Sequence, residues 1–474
     1  MKRRDGSGPT RRQWIVLGAL FLLSLPAVTT RIYSSDEIQY FAYLRSAWFD
    51  HDLSFENEYR YFYDRGIAKS AGFHETFLER STDTGRRINF GTVGCAILWS
   101  PFYLLGDVTA RASGATVDGF SRPYVVAVAY GSAVYGFLAV VLAVLGAARL
   151  GLNAFTAAVA VWLGTPLLFY MYVAPPFSHA CSAFGVALFI YVWLRVRDDW
   201  SLRGAIALGA AAALMSMVRE QDLFFIAGPA LDWLLTGARF RRTSDWRGPV
   251  GAAAAFAAGF SPQLAAYAIL NGHIGPHASV GHKMNWTAPH ALQVLFSPEH
   301  GFFIWTPLAL LALPGIAWLW RAAGPESGEA HVVLPGRRGT PSLADRQQIG
   351  ACLVLMLALQ VYVGGSVESW TVAGAYGQRR FIALTAIMVI GYAAVQAEVR
   401  VSSRQVRRLF ALVSIVAVYW NLALIAEFST GLMDRQRLEP RRNAFDAFVT
   451  LPRLAPSLAY RYLFDRASFY KHGS

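Results

Sequence analysis

The sequence predicts an all-α polytopic membrane protein of about eleven transmembrane helices, with a long first extracytoplasmic loop bearing juxtamembrane helices. Composition is the first ground. Of 474 residues, 55% are hydrophobic and 15% charged, whereas soluble domains carry about 25% charged residues. The second ground is the recurrence of apolar runs long enough to cross about 30 Å of hydrocarbon. They fall at 13–29, 123–148, 153–173, 179–197, 203–219, 221–236, 249–270, 301–320, 349–367, 381–397 and 408–427. The third is charge: the net balance is +13, and its cations collect at the ends of those runs.

Taken in order, the run at 13–29 follows Lys2, Arg3, Arg4, Arg11 and Arg12 with no small-residue cleavage site before a soluble domain, so it is expected to remain as a first span. The run Val93 to Leu105 is short, contains Pro101 and is bounded by Asn89 and Asp107. Keeping it at the interface leaves the basic loops at Arg149, Arg195 to Arg203, Arg239 to Arg247, Arg321 to Arg346 and Arg400 to Arg408 beside the basic N-terminus, as the positive-inside bias requires. Two features fit less well: the tail after Glu427 lies outside despite Arg435, Arg437, Arg441 and Arg442, and the run 221–236 holds Pro229 and Asp232. The expected location is the inner (plasma) membrane, with the cytoplasmic N-terminus that this charge arrangement implies. It divides the chain into a membrane domain, 1–427, with its loop 30–122, and an arginine-rich tail, 428–474.

Five segments then share the outer side: 30–122, 174–178, 219–222, 271–300 and 368–380. The first is too long for a plain connector and is expected to fold as a cap. It opens with Ser34-Ser35-Asp36-Glu37 and scans as an amphipathic helix, with Ile38, Phe41, Ala42, Leu44, Trp48 and Phe49 on one side. Asp36, Gln39, Tyr40, Tyr43, Ser46 and Asp50 lie on the other. Ser34 and Glu37 match a capping box, which gives Glu37 a sufficient structural task. Asp36 has a choice of two: favouring its own helix N-terminus, or taking a proton from an acceptor as a bond forms.

The other outer polar groups are also open to two readings. Ser178 and His179 stand where free helix N–H groups attract phosphate, or simply cap a span. Arg219 interrupts two apolar runs, either facing a wet cavity or pairing with Asp222. Gln378, Arg379 and Arg380 directly precede a span on the side where cations are disfavoured; arginine forks there suit phosphate oxygens or lipid headgroups. Lys283 is suited to neutralise a phosphate or to be solvated. Histidines 273, 277, 282, 290 and 300 fit no zinc spacing, and Gly275-Pro276 prevents a helical alignment of the first two. No protein-held metal is therefore assigned, although Asp36 and a substrate phosphate would admit Mg²⁺ or Mn²⁺. Cys95, Cys181 and Cys352 make no disulfide framework. No phosphate loop, GxSxG, HExxH or dinucleotide fingerprint occurs, and no nucleic-acid partner is expected.

Five stretches, SSDEIQYFAYLRSAWFDHDLSFENEY, PFSHACSAF, VREQDLFF, VLFSPEHGFFIWTPL and GAYGQRRFI, together with Arg122 before the second span, carry a family likeness. In them the chain resembles the GT-C membrane glycosyltransferases, in the branch of protein O-mannosyltransferases and the bacterial lipid A aminoarabinose transferases. The likeness runs from about residue 30 to 400 and leaves the tail uncovered. It implies an inverting transfer of sugar from a polyprenyl-phosphate donor to an extracytoplasmic glycan, lipid or protein. Asp36 matches the acidic residue that binds or deprotonates the acceptor, and Glu37 the second acidic place. Candidates for holding the donor are Arg219, Lys283, Arg379 and Arg380, with Tyr40, Tyr43, His179 and Gln378 as further substrate-binding positions. The alternative on composition alone is a transporter or lipid flippase, against which stand the absence of repeated halves and the gathering of polar groups at one face.

Overall fold

The fold is taken from a computed structural model, which describes residues 8–240, 246–321, 343–465 and 468–469. Among the described residues the chain is helical, with two isolated β-bridges, Ser81 to Arg87 and Met284 to Val367. The helices that position the site are α1 (Arg11–Ser24), α2 (Ser35–Arg45), α3 (Glu56–Asp64), α4 (Gly94–Ser113) and α5 (Arg122–Arg149). There follow α6 (Phe155–Leu163), α7 (Leu167–Tyr172), α8 (His179–Val196), α9 (Leu202–Val218), α10 (Ala227–Phe240) and α11 (Arg247–Asn271). The chain continues through α12 (Leu343–Ser366), α13 (Thr385–Val401), α14 (Arg404–Thr430) and α15 (Leu451–Phe464).

Among the described residues, six helices are long and apolar enough to cross a membrane: α5, α8, α11, α12 from Ala344, Arg379–Val401 and α14. The expected eleven long spans are thus not all continuous helices. The stretch 153–173 breaks at Gly164-Thr165-Pro166, and 301–320 divides at Pro307 and Pro314 into Phe302–Trp305, Ala309–Ala312 and Pro314–Arg321. Proline removes an N–H and crowds the preceding turn, so each break frees backbone carbonyls. Asn421 of α14 answers the first break: its side-chain amide donates to Leu163 O at 2.8 Å and Thr165 O at 3.1 Å. Broken backbone at membrane depth needs such a partner. Asp232, which weakened the expected span at 221–236, is likewise satisfied. Trp193 donates to it at 2.9 Å, and Arg197 and Gln348 complete its shell.

The run Val93 to Leu105 begins at the N-cap of α4 and continues into α4 itself, a single helix that carries Pro101 inside it. It is not among the six apolar helices above. Its first residue packs too closely for any side chain: a Cβ on Gly94 would stand 2.4 Å from the backbone of Met217. α9 packs equally closely on α11, where a Cβ on Gly209 would meet Ala252 O at 2.0 Å. Small residues permit this approach where no water drives helices together. Two large apolar cores result, beside a small third one at Ala423, Ala447 and Leu451. One joins the spans; the other binds the cap to α4 and to Cys181, Val218, Ala266 and Leu270. The basic loops expected at 239–247 and 321–346 lie largely outside the described residues.

α2 forms as its capping box requires: Ser34 Oγ accepts from Glu37 N, and Glu37 Oε2 accepts from Ser34 N at 3.0 Å and Tyr33 N at 2.9 Å. It runs to Arg45 and continues as one π-helical turn over Ser46–Asp50. The expected two-faced helix is covered over part of its polar side as well, although Asp36, Tyr40 and Asp50 stay partly exposed. Gln39, Tyr43 and Ser46 are as buried as Ile38 and Phe41, because α3 and α4 enclose it within the cap.

Candidate functional site

Three of the segments expected on the outer side meet at one small cavity of about 100 Å³, lined by Asp36, Gln39, Tyr40, Phe90, Gly91, Arg219, Arg379 and Arg380. The first turn of α2 supplies Asp36, and the helical turn leading into α13 supplies the two arginines at 379 and 380. Arg219 comes from an extended residue between α9 and the 3-10 turn Glu220–Ile226. The strap Asn89-Phe90-Gly91 is pinned to α2 through Gln39. Phe90 N donates to Gln39 Oε1 at 2.8 Å, and Asn89 Nδ2 donates to Gln39 O at 3.0 Å.

Arg379 Nη1 donates to Asp36 Oδ2 at 2.6 Å, and its guanidinium lies 5.4 Å from the Phe177 ring centre. Arg380 is held by Ser369, through the carbonyl at 2.8 Å and the hydroxyl at 3.2 Å. Arg219 Nη1 donates to His179 Nδ1 at 2.6 Å and Ser178 Oγ at 3.3 Å, while Nη2 donates to Gln221 Oε1 at 3.2 Å. Ser178 in turn donates to the Tyr40 hydroxyl at 3.1 Å. Arg219 does not pair with Asp222, which accepts instead from Ser182 at 2.6 Å. Arg219 and Arg380 are therefore oriented by neutral groups. Three guanidiniums and one carboxylate share the cavity, and such an excess of fork-shaped donors suits an oxyanion such as phosphate.

The remaining expected positions divide in two. His179 stands behind Arg219, buried between Tyr170 and Phe177, and Lys283 lies 5.2 Å from the ring of Phe90. Neither lines the cavity, yet each contacts a residue that does. Glu37, Tyr43 and Gln378, expected to bind substrate, are placed elsewhere. Glu37 is fully buried at the start of α2; burial pushes its carboxyl up to about 7 against the two backbone donors. Tyr43 packs edge-on to Phe55 at 5.0 Å inside the cap. Gln378 is spent on the backbone, donating to Trp370 O at 3.2 Å and His300 O at 3.3 Å. Gln39 lies where the polar side of α2 placed it, whereas Phe90 and Gly91 were not anticipated; a polar-aromatic-glycine tripeptide just ahead of an apolar run was the available signal.

No group of three His, Cys, Asp or Glu able to hold a metal occurs among the described residues. A divalent cation at Asp36 would also face Arg219, Arg379 and Arg380, so the donor set does not fit one. Cys95, Cys181 and Cys352 are buried and free.

The chain superposes on a crystal structure of ArnT from Cupriavidus metallidurans bound to undecaprenyl phosphate, over 92% of this chain and 75% of that one, with 14% identity and a TM-score of 0.53. This chain has the ArnT fold. The all-α, multi-pass membrane architecture expected from the sequence therefore stands at the level of fold. No family model matches the chain, and no curated protein matches it by sequence. At 14% identity the ArnT likeness speaks for architecture, and the chemistry must be argued from the cavity itself.

Proposed function

We propose that the protein is a membrane glycosyltransferase that moves a sugar from a polyprenyl-phosphate donor to an acceptor at the outer face of the inner membrane. The observation that carries this is the single carboxylate facing three guanidiniums in one cavity, Asp36 with Arg219, Arg379 and Arg380. The ArnT fold supports it, since that relative was crystallised with a polyprenyl phosphate.

On this reading Arg219 and Arg380 hold the donor phosphate, and Arg379 orients Asp36 while facing the same anion. Asp36 accepts the proton of an acceptor hydroxyl or amine as its oxygen or nitrogen attacks the anomeric carbon. The bond from that carbon to the phosphate oxygen breaks on the opposite face, so configuration inverts. Charge gathers on the leaving phosphate, where guanidiniums fixed beforehand stabilise it without reorganising. No metal is needed for these steps, and none is assigned. On this account the described tail residues, 428–465, pack against the membrane unit.

The test is incubation of the purified protein with a panel of labelled polyprenyl-phosphate sugars and a membrane extract, following release of polyprenyl phosphate. Sugar-dependent release supports the reading. Movement of lipid or solute across sealed vesicles with no release from any donor would replace it with transport.

A further inference from the structure

A larger groove lies on the other side of the segment that leads into α2. It has a volume of about 1010 Å³ and runs between the end of α1, α7, the last turns of α14 and the face of α15 that carries Leu458, Ala459 and Tyr462. That is at the upper end of the range of about 300–1,000 Å³ usual for ligand pockets. Its walls are mainly apolar, with Ile32, Phe120, Phe169, Leu422 and Phe428 among them. Its cations are Arg31, Lys69, Arg122 and Arg435. None of these four shares the cavity at Asp36.

Their placement is not scattered. Arg122 opens α5, while Arg31, Lys69 and Arg435 lie in the connecting segments that follow α1, α3 and α14, so all four belong to segments expected on the outer side. The apolar wall runs from there along α7 and α14. Cations at one end and hydrocarbon along the rest match the shape of an anionic amphiphile. The tail closes this groove: Tyr462 donates to Ala27 O at 3.1 Å, and the Arg435 guanidinium lies 4.9 Å from the Phe428 ring centre. An arginine-rich tail beyond the last span runs against the positive-inside bias. Service at a lipid headgroup gives Arg435 a reason to be there.

We propose that this groove is a second lipid site, which takes an anionic phospholipid with fatty acyl chains, its phosphate at Lys69, Arg122 and Arg435 and its chains along α7 and α14. The site is independent of the glycosyltransferase reading, because occupancy requires neither donor nor turnover. A lipid seated there brings its headgroup to Tyr33, on the segment that ends at Asp36.

The test uses the full-length protein in detergent, titrated by native mass spectrometry with dioleoyl phosphatidylglycerol, dioleoyl phosphatidylcholine and decaprenyl phosphate. Two variants accompany it. Ala459→Trp fills the groove from an exposed position, and Lys69→Ala with Arg435→Ala removes two of its cations. Wild type should bind phosphatidylglycerol about tenfold more tightly than phosphatidylcholine, a preference the double variant should reduce to about twofold. Ala459→Trp should weaken phosphatidylglycerol about tenfold and leave decaprenyl phosphate unchanged. Equal binding of the two phospholipids by wild type, or unchanged binding in Ala459→Trp, would overturn the proposal. So would loss of decaprenyl phosphate in Ala459→Trp, since the groove would then be the carrier's.

Discussion

Asp36 and Arg379 stand 343 positions apart in the chain and meet at 2.6 Å, the acid 38% exposed and the arginine 17%. The first turn of α2 and the turn before α13 are thereby joined across the mouth of the cavity. Arg379 is more than a countercharge, because the same guanidinium faces the space that a donor phosphate would occupy. On the proposed reading, its fork would order the base and the leaving group relative to one another.

Arg379 and Arg380 should therefore fail differently. The Arg380 guanidinium donates to Ser369 and not to Asp36 among the described residues, so Arg380→Ala should raise the half-saturating donor concentration about tenfold or more and largely spare turnover. Arg379→Ala should lower turnover as well, having released Asp36. Donor titrations of both variants check this. Identical profiles would show that the pair with Asp36 has no role in turnover.

Arg219 is expected to resist conservative replacement. Its fork reaches His179, Ser178 and Gln221 together, and a lysine has one ammonium on a flexible stem. Arg219→Lys should weaken donor binding about as far as Arg219→Ala does. Restoration of wild-type affinity by lysine would mean that charge alone matters there.

Glu37 should appear in stability and not in catalysis. Its folded carboxyl is raised from 4.5 to about 7 by burial, so the folded state keeps a proton that the unfolded chain has already lost. Its contribution is complete below pH 4.5 and disappears as pH rises through about 7. Thermal melting of wild type and Glu37→Gln at pH 5 and pH 7.5 should show a smaller loss in the variant as pH rises. Parallel losses would place the titration elsewhere. Transfer by Glu37→Gln should remain near wild type.

Asn421→Leu should destabilise without touching the site. It removes the donor to Leu163 O and Thr165 O and the oxygen that accepts from the Tyr376 hydroxyl at 3.0 Å. Stranding buried polar groups costs about 1–3 kcal/mol each. A lowered melting temperature with an unchanged donor titration is the expected result; unchanged melting would mean the break is satisfied by other donors.

The helical membrane architecture was legible because hydrocarbon thickness imposes run lengths that no soluble fold needs, and α2 was legible because a capping box is a local device. The gathering of Asp36, Arg219, Arg379 and Arg380 could be anticipated from polar groups interrupting apolar runs, which is costly unless they face something. Other features depend on packing between distant segments. Gln378 looked like its neighbours at 379 and 380, but only the fold reveals that its amide is consumed by Trp370 and His300 carbonyls. Tyr43 shares a helical face with Tyr40, yet the cap covers that face. The count of spans was least legible, since a proline in an apolar run does not say whether the helix bends or stops; at Pro166 and Pro307 it stops.

The account rests on the carboxylate at position 36, and the most direct measurement is sugar transfer by purified Asp36→Asn with donor binding measured on the same sample. Asparagine keeps the size and an oxygen to accept from Arg379 but is no base at neutral pH. The expected result is donor affinity near wild type with transfer reduced by about a hundredfold or more, the scale of general base catalysis. Transfer at the wild-type rate would contradict the account.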